Sequence, residues 1–130
     1  MKNIFTEKKF YLVTKASILS PGKNQLSVNV SLNPLYEAYN GHFEGLPVAP
    51  ASCFMNMIQE ILEGQLRQHL FLSEASDINF NRLVFSGEQS NFEINYALKF
   101  TGDKLIETNV TMKAGEETFI KMRASYMIQQ

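Results

Sequence analysis

Between Gln25 and Leu32 the chain alternates strictly, with Leu26, Val28, Val30 and Leu32 set against Ser27, Asn29 and Ser31. A period of two places every apolar side chain on one face of an extended strand, so this segment predicts a half-buried β-strand. The preceding run from Lys9 to Leu19 is dense in β-branched and aromatic residues and stops at Ser20-Pro21-Gly22, a strong turn signal. The two runs together predict a hairpin. The same alternation returns later, in "QSNFEINYALKFT" with Phe92, Ile94, Tyr96, Leu98 and Phe100, in "KLIETNVTMKA", and in "TFIKMRASYMIQ" with Ile120, Met122, Ala124, Tyr126 and Ile128. Thr101-Gly102-Asp103-Lys104 and Ala114-Gly115-Glu116 separate these three as turns. A further strand is expected just before them, in "DINFNRLVFSG".

From Ser52 to about Leu70 the spacing changes: Phe54, Met57, Ile58, Ile61, Leu62 and Leu66 recur at three and four residues, which predicts the one long helix, with Ser52 as its candidate N-cap. The stretch from Asn33 to Pro50 holds Pro34, Gly41, Gly45, Pro47 and Pro50, so no regular element is expected there. Its aromatics Tyr36, Tyr39 and Phe43 point to an ordered loop, and a loop of this length in a small domain is usually functional. The sum is an α+β fold: two strands, a loop, one long helix, then about four more antiparallel strands, about six in all, with one face of the sheet buried on the helix. A length of 130 residues, 45% of them apolar, suffices for one core, so a single domain over residues 1–130 is expected.

Charge and cysteine use narrow the classes of function. Twelve Lys and Arg stand against thirteen Asp and Glu along the chain, a net charge of −1, which offers no basic field for nucleic acid or an anionic membrane. The single cysteine, Cys53, allows no internal disulfide and fits a reducing compartment, so a cytoplasmic location is expected. Charged residues Glu7, Lys8, Lys9 and Lys15 interrupt any signal-peptide core near the start, and no apolar run is long enough to span a bilayer.

Chemistry centres on "GHFEGLPVAPASCFMNMIQEILEG", Gly41 to Gly64. The two histidines, His42 and His69, have no histidine or cysteine companion at ligand spacing, so neither a metal nor a cofactor is expected. His69 falls near the expected helix C-terminus, where it reads as a cap or a solvated side chain. His42 differs, because glycines and prolines fix its backbone just before a helix N-terminus, where unpaired amides face outward. Such amides can polarise a thioester carbonyl while a neutral imidazole removes the proton from the adjacent carbon; an ordinary loop histidine bonded to backbone is the alternative.

The motif "GHFEGLPVAP" resembles the GHFPGxPVxPG signature of the 3-hydroxyacyl-acyl-carrier-protein dehydratases, hotdog proteins of the FabA/FabZ type. The likeness extends upstream through "SVNVSLNPLYEAYNGHF" and downstream through "INFNRLVFSGEQ", and covers nearly the whole chain except for the family's N-terminal Leu-Pro-His-Arg-like stretch. It implies a hotdog fold, in which one long central helix is wrapped by an antiparallel sheet, and two subunits that pair their sheets around an acyl tunnel. It also implies that His42 is the base, that the amides around Gly45, Ala51 and Ser52 receive the thioester, and that acyl carrier protein is the partner. A homodimer is expected, or a heterodimer with a related hotdog chain.

Two positions depart from the signature: Glu44 stands in place of proline, and Ala51 in place of a glycine at which a positive φ would cost alanine about 1 kcal/mol. A third departure concerns the catalytic acid. The resemblance places a carboxylate from the neighbouring subunit fourteen positions after the histidine, and that position here is Asn56, which has no acidic proton to give. At about 100° per residue, Asn56, Glu60, Glu63 and Arg67 share one helix face, with Glu60 one turn, roughly 5–6 Å, from Asn56. Glu60 is therefore the candidate substitute, while Glu63 and Arg67 read as a solvated ion pair. The expected activity is dehydration of a 3-hydroxyacyl thioester in fatty-acid, polyketide or polyene biosynthesis. The alternatives are a non-catalytic acyl-thioester-binding or partner subunit and a hotdog thioesterase using Glu37 or Glu44.

Overall fold

A computed structural model describes residues 10–20, 24–33, 51–82, 84 and 91–129. Within them the order is β1 (Tyr11–Ser20), β2 (Gln25–Leu32), α1 (Ala51–Leu66), β3 (His69–Phe80), β4 (Asn91–Thr101), β5 (Leu105–Ala114) and β6 (Glu117–Gln129). The strands form one antiparallel sheet in the order β1-β2-β4-β5-β6-β3, so β3 crosses to the far edge although it precedes β4 in the chain.

Cross-strand register explains why the alternation holds. Val28 lies opposite Ile94, Ile94 opposite Met112, and Met112 opposite Ile120, so one apolar row runs across four strands. Leu26, Tyr96, Val110 and Met122 make the next row. All eight are buried, and α1 seals this face with Phe54, Met57, Ile58, Ile61 and Leu62. Each such side chain contributes about 1.5–3 kcal/mol through burial. The opposite face carries Asn95, Asn109, Lys121 and Arg123, which line a trough of about 620 Å³ turned away from the helix. Thr108 is the one polar side chain in the buried β5 row, and its hydroxyl donates to the Ala124 carbonyl at 2.8 Å. The turns between β4, β5 and β6 use Gly102 and Gly115 at φ 66° and 61°, where a Cβ would be strained.

The sheet curls until both of its edge strands reach the helix. On the β1 side, Phe10 meets Phe54 edge to face at 5.3 Å between centroids, and Tyr11 donates its hydroxyl to Glu60 Oε1 at 3.0 Å. On the β3 side, the Leu70 amide donates to Glu63 Oε2 at 2.8 Å, and Gln59 Nε2 donates to the Leu70 carbonyl at 3.1 Å. Between them Tyr96 of β4 donates to the Ile58 carbonyl at 2.8 Å from a fully buried position. This is the wrapped helix that the resemblance implied.

Burial, and then the nearby Glu63 carboxylate, push the Tyr126 phenol up to about 12, and burial also raises Tyr96 well above the ordinary value. In the unfolded chain these phenols ionise near pH 10, so above about pH 10 the unfolded form holds fewer protons than the folded form and stability falls as pH rises, with the loss complete once the folded groups titrate. Thermal midpoints measured across this range should decline from about pH 10 upward, and Tyr126→Phe should make the decline shallower. An equal slope in the variant would refute it.

Two expected elements shift. The helix ends at Leu66, not near Leu70: Arg67 takes a left-handed φ of 55°, and the Gln68 amide donates to the Glu63 carbonyl at 3.2 Å, the six-to-one bond that closes a helix C-terminus. His69 consequently opens β3, exposed and opposite Gln129, and does not cap the helix. β3 likewise begins well before Asp77 and ends at Phe80, because an edge strand tolerates the polar run Ser73 to Asp77 and two bulges break its alternation. Ser52 is the second residue of α1, and not the N-cap that the sequence suggested.

Candidate functional site

The site begins at the start of α1. Ala51 and Ser52 are its first two residues, both exposed, and the first turn has no acidic side chain to offset the positive end of the helix dipole. Ala51 is absent from the residues with positive φ, so its methyl carries none of the left-handed strain that a glycine position would imply. Such a terminus suits an oxygen that gains negative charge. His42 and Gly45, like Glu37 and Glu44, lie outside the described residues. Asn33, the last described residue before them, is fully buried, and its amide donates to the Phe10 carbonyl at 2.8 Å.

Asn56 and Glu60 are both exposed on α1, but they are not equally free. Glu60 leans towards β1 and accepts from Tyr11. The Tyr11 phenol is raised by burial first, and then by the charge and hydrogen bond of Glu60 and the charge of Glu63, so it stays a neutral donor at ordinary pH. Glu63 leans the other way, towards the start of β3. The expected Glu63–Arg67 ion pair does not form, since Arg67 has left the helical path. Among the described residues, both carboxylates on that stripe are therefore committed to latches between the helix and the two sheet edges, while Asn56 makes no such bond. Sequence reasoning missed Tyr11, because its link to Glu60 spans 49 positions and no local pattern signals it.

Among the described residues no group of three or more His, Cys, Asp or Glu could hold a metal ion. Cys53 is half-buried, and burial raises its thiol pKa, which makes it a poor nucleophile. No described helix is long and apolar enough to cross a membrane.

A helix of sixteen residues enclosed by an antiparallel six-stranded sheet is the hotdog fold, and solved structures match it. The dehydratase heterocomplex ApeI:P from Xenorhabdus doucetiae is similar over 89% of this chain and 96% of that chain, with a TM-score of 0.68 at 12% identity. A hypothetical thioesterase with coenzyme A from Streptococcus pneumoniae is similar over 92% and 85%, with a TM-score of 0.63 at 11% identity. The BH2602 protein from Bacillus halodurans with CoA is similar over 89% and 74%, with a TM-score of 0.59 at 14% identity. No curated protein matches the chain in sequence. Residues 19–116 match the family model described as ApeI-like, ApeI dehydratase, and the chain belongs to that family.

Proposed function

We propose that this chain is a single-domain dehydratase subunit acting in the cytoplasm on a 3-hydroxyacyl thioester of acyl carrier protein, in fatty-acid, polyketide or polyene biosynthesis. The observation that carries the reading is the run of the Gly41-His42-Phe43 motif into an exposed helix N-terminus with no acidic side chain in its first turn, in a chain of a dehydratase family. His42 takes the proton from the carbon next to the thioester carbonyl, and amides around Gly45, Ala51 and Ser52 hold the carbonyl oxygen as it gains charge. The carbon–oxygen bond to the hydroxyl breaks, the hydroxyl takes up the proton that His42 removed and leaves as water, and the carbon–carbon double bond of the trans-2-enoyl thioester forms. This elimination is redox-neutral and calls for no cofactor. Asn56 of the neighbouring subunit orients the hydroxyl, and Glu60 fixes the helix surface beside it. The assembly is a dimer through paired sheets.

A second reading, an acyl-thioester-binding subunit without turnover, is favoured by Asn56 and by the bonding of Glu60 to Tyr11. The purified chain should be incubated with 3-hydroxyacyl carrier proteins of several chain lengths while enoyl absorbance and free thiol are followed. Enoyl product supports dehydration, binding without turnover moves the assignment to the second reading, and free thiol without enoyl product indicates a thioesterase.

A further inference from the structure

The outer face of the sheet, like the inner one, is built in rows. Two of them cross five strands at its centre: Ser27, Asn95, Thr111, Lys121 and Asn79 stand opposite one another in turn along the first, and Gln25, Ala97, Asn109, Arg123 and Ser76 along the second. Beside these rows the charges are matched across β4 and β5, where Glu93 stands opposite Lys113, with Oε1 and Nζ 3.7 Å apart, and Lys99 opposite Glu107. Lys121 and Arg123 are not matched in this way. Lys121 has Thr111 and Asn79 across from it, and Arg123 has Asn109 and Ser76. The two cations leave one face of β6 about 7 Å apart, so each raises the electrostatic cost of the other.

These two rows line the trough of about 620 Å³ on the face away from α1, a volume within the roughly 300–1,000 Å³ of small-molecule sites. Ala97 gives it room, since a methyl stands there opposite Gln25 on one strand and Asn109 on the other. Among the described residues the side chains of Lys121, Asn109, Thr111 and Gln25 make no hydrogen bond or ion pair. Asn95 Nδ2 donates to Glu93 Oε1 at 2.9 Å, which leaves its carbonyl oxygen as an acceptor. Asp77 also lines the trough, from the stretch where β3 bulges between Ser76 and Asn79, and takes a left-handed φ of 50° there. Its carboxylate is 3.9 Å from Arg123, but both side chains are about two-thirds exposed, which leaves the pair weak.

Two cations against one carboxylate leave the trough positive, and they choose its ligand. A bare anion would satisfy Lys121 and Arg123 but be repelled by Asp77 and leave the amide carbonyls without donors, whereas a neutral sugar would leave both cations unmatched. A molecule with a phosphate ester at one end and hydroxyls at the other satisfies both sets: Lys121 and Arg123 donate to its phosphate oxygens, and Asp77, Asn95 and Asn109 accept from its hydroxyls. The ion pairs beside the rows cancel, and the chain carries a net charge of −1, so no basic field extends past the trough to hold a membrane or nucleic acid. We propose that the outer-face trough centred on Lys121, Arg123 and Ala97 binds a free sugar phosphate, a phosphate monoester of a small polyol.

The test titrates the full chain with glucose 6-phosphate, glucose and inorganic phosphate at low ionic strength, followed by calorimetry. Glucose 6-phosphate should bind saturably, one per chain, at least about tenfold tighter than either glucose or inorganic phosphate, and Lys121→Gln and Arg123→Gln should each weaken it about fivefold or more. Ala97→Leu keeps both cations and fills the space between the rows, so it should weaken binding by at least about tenfold. Inorganic phosphate bound as tightly as glucose 6-phosphate means an adventitious ion only and overturns the inference, as does the absence of saturable binding below about 10 mM. Binding that survives both Ala97→Leu and Lys121→Gln unchanged lies elsewhere and overturns it too. Should Ala97→Leu fail to fold, Lys121→Gln, at an exposed position without partners among the described residues, decides alone. Binding to phosphatidylinositol vesicles without binding of glucose 6-phosphate would make this face a membrane surface and likewise overturns the inference.

Discussion

Replacing His42 with alanine is expected to lower dehydration by about two to four orders of magnitude, the scale of one general base, while thermal unfolding stays where it was. The core that sets stability is made of the sheet rows and the five buried helix side chains. Single-turnover formation of the enoyl thioester, read beside a melting curve, separates the two roles. A variant that melts early and keeps its rate per folded molecule would mark His42 as structural.

The second large effect concerns Asn56→Asp. The substitution is nearly isosteric and sits on an exposed helix face, so the fold should survive, and the new carboxyl stands where the resemblance expects an acid. Dehydration by the chain on its own should then rise by about one to three orders of magnitude. The Tyr11–Glu60 hydrogen bond shapes this expectation. If Glu60 were the acting acid, a second carboxylate one turn away would repel its charge and the rate would change little or fall, and Glu60→Gln would be the damaging change. Because Glu60 Oε1 already accepts from Tyr11 at 3.0 Å, Asn56→Asp is expected to raise the rate and Glu60→Gln to leave it within about threefold. The reverse ranking would return the acid role to Glu60.

The sequence was legible where side chains alternate against a continuous neighbour. β2 runs from Gln25 to Leu32 as its pattern dictates, and β4, β5 and β6 are delimited by Gly102 and Gly115, whose positive φ values mark the turns. The end of the helix was not legible, since Leu66 and Leu70 keep helical spacing and neither Gly nor Pro stands between them; a left-handed arginine does the stopping. β3 was hidden because its bulges between Leu72 and Glu74 and between Ser76 and Asn79 destroy the period of two. At the site, the shared face of Asn56 and Glu60 follows from helical geometry alone. The commitments of Glu60 to β1 and Glu63 to β3 do not, because each depends on how far the sheet curls.

That β3 lies beside β6 sets a schedule for biosynthesis. As the chain leaves the ribosome, β1 meets β2 almost at once and β4 meets β5 across a tight turn, but β3 precedes β4 and its strand neighbour among the described residues, β6, follows both β4 and β5. His69 cannot pair with Gln129 until β6 has emerged, so throughout the synthesis of β4 and β5 the helix bonds that hold β3 among the described residues are those of Glu63 and Gln59 to Leu70. Contacts of such long separation form late and slowly, and Phe71, Ile78 and Phe80 face solvent in the meantime. A nascent chain in this condition is at its most adhesive until β6 emerges and covers one edge of β3.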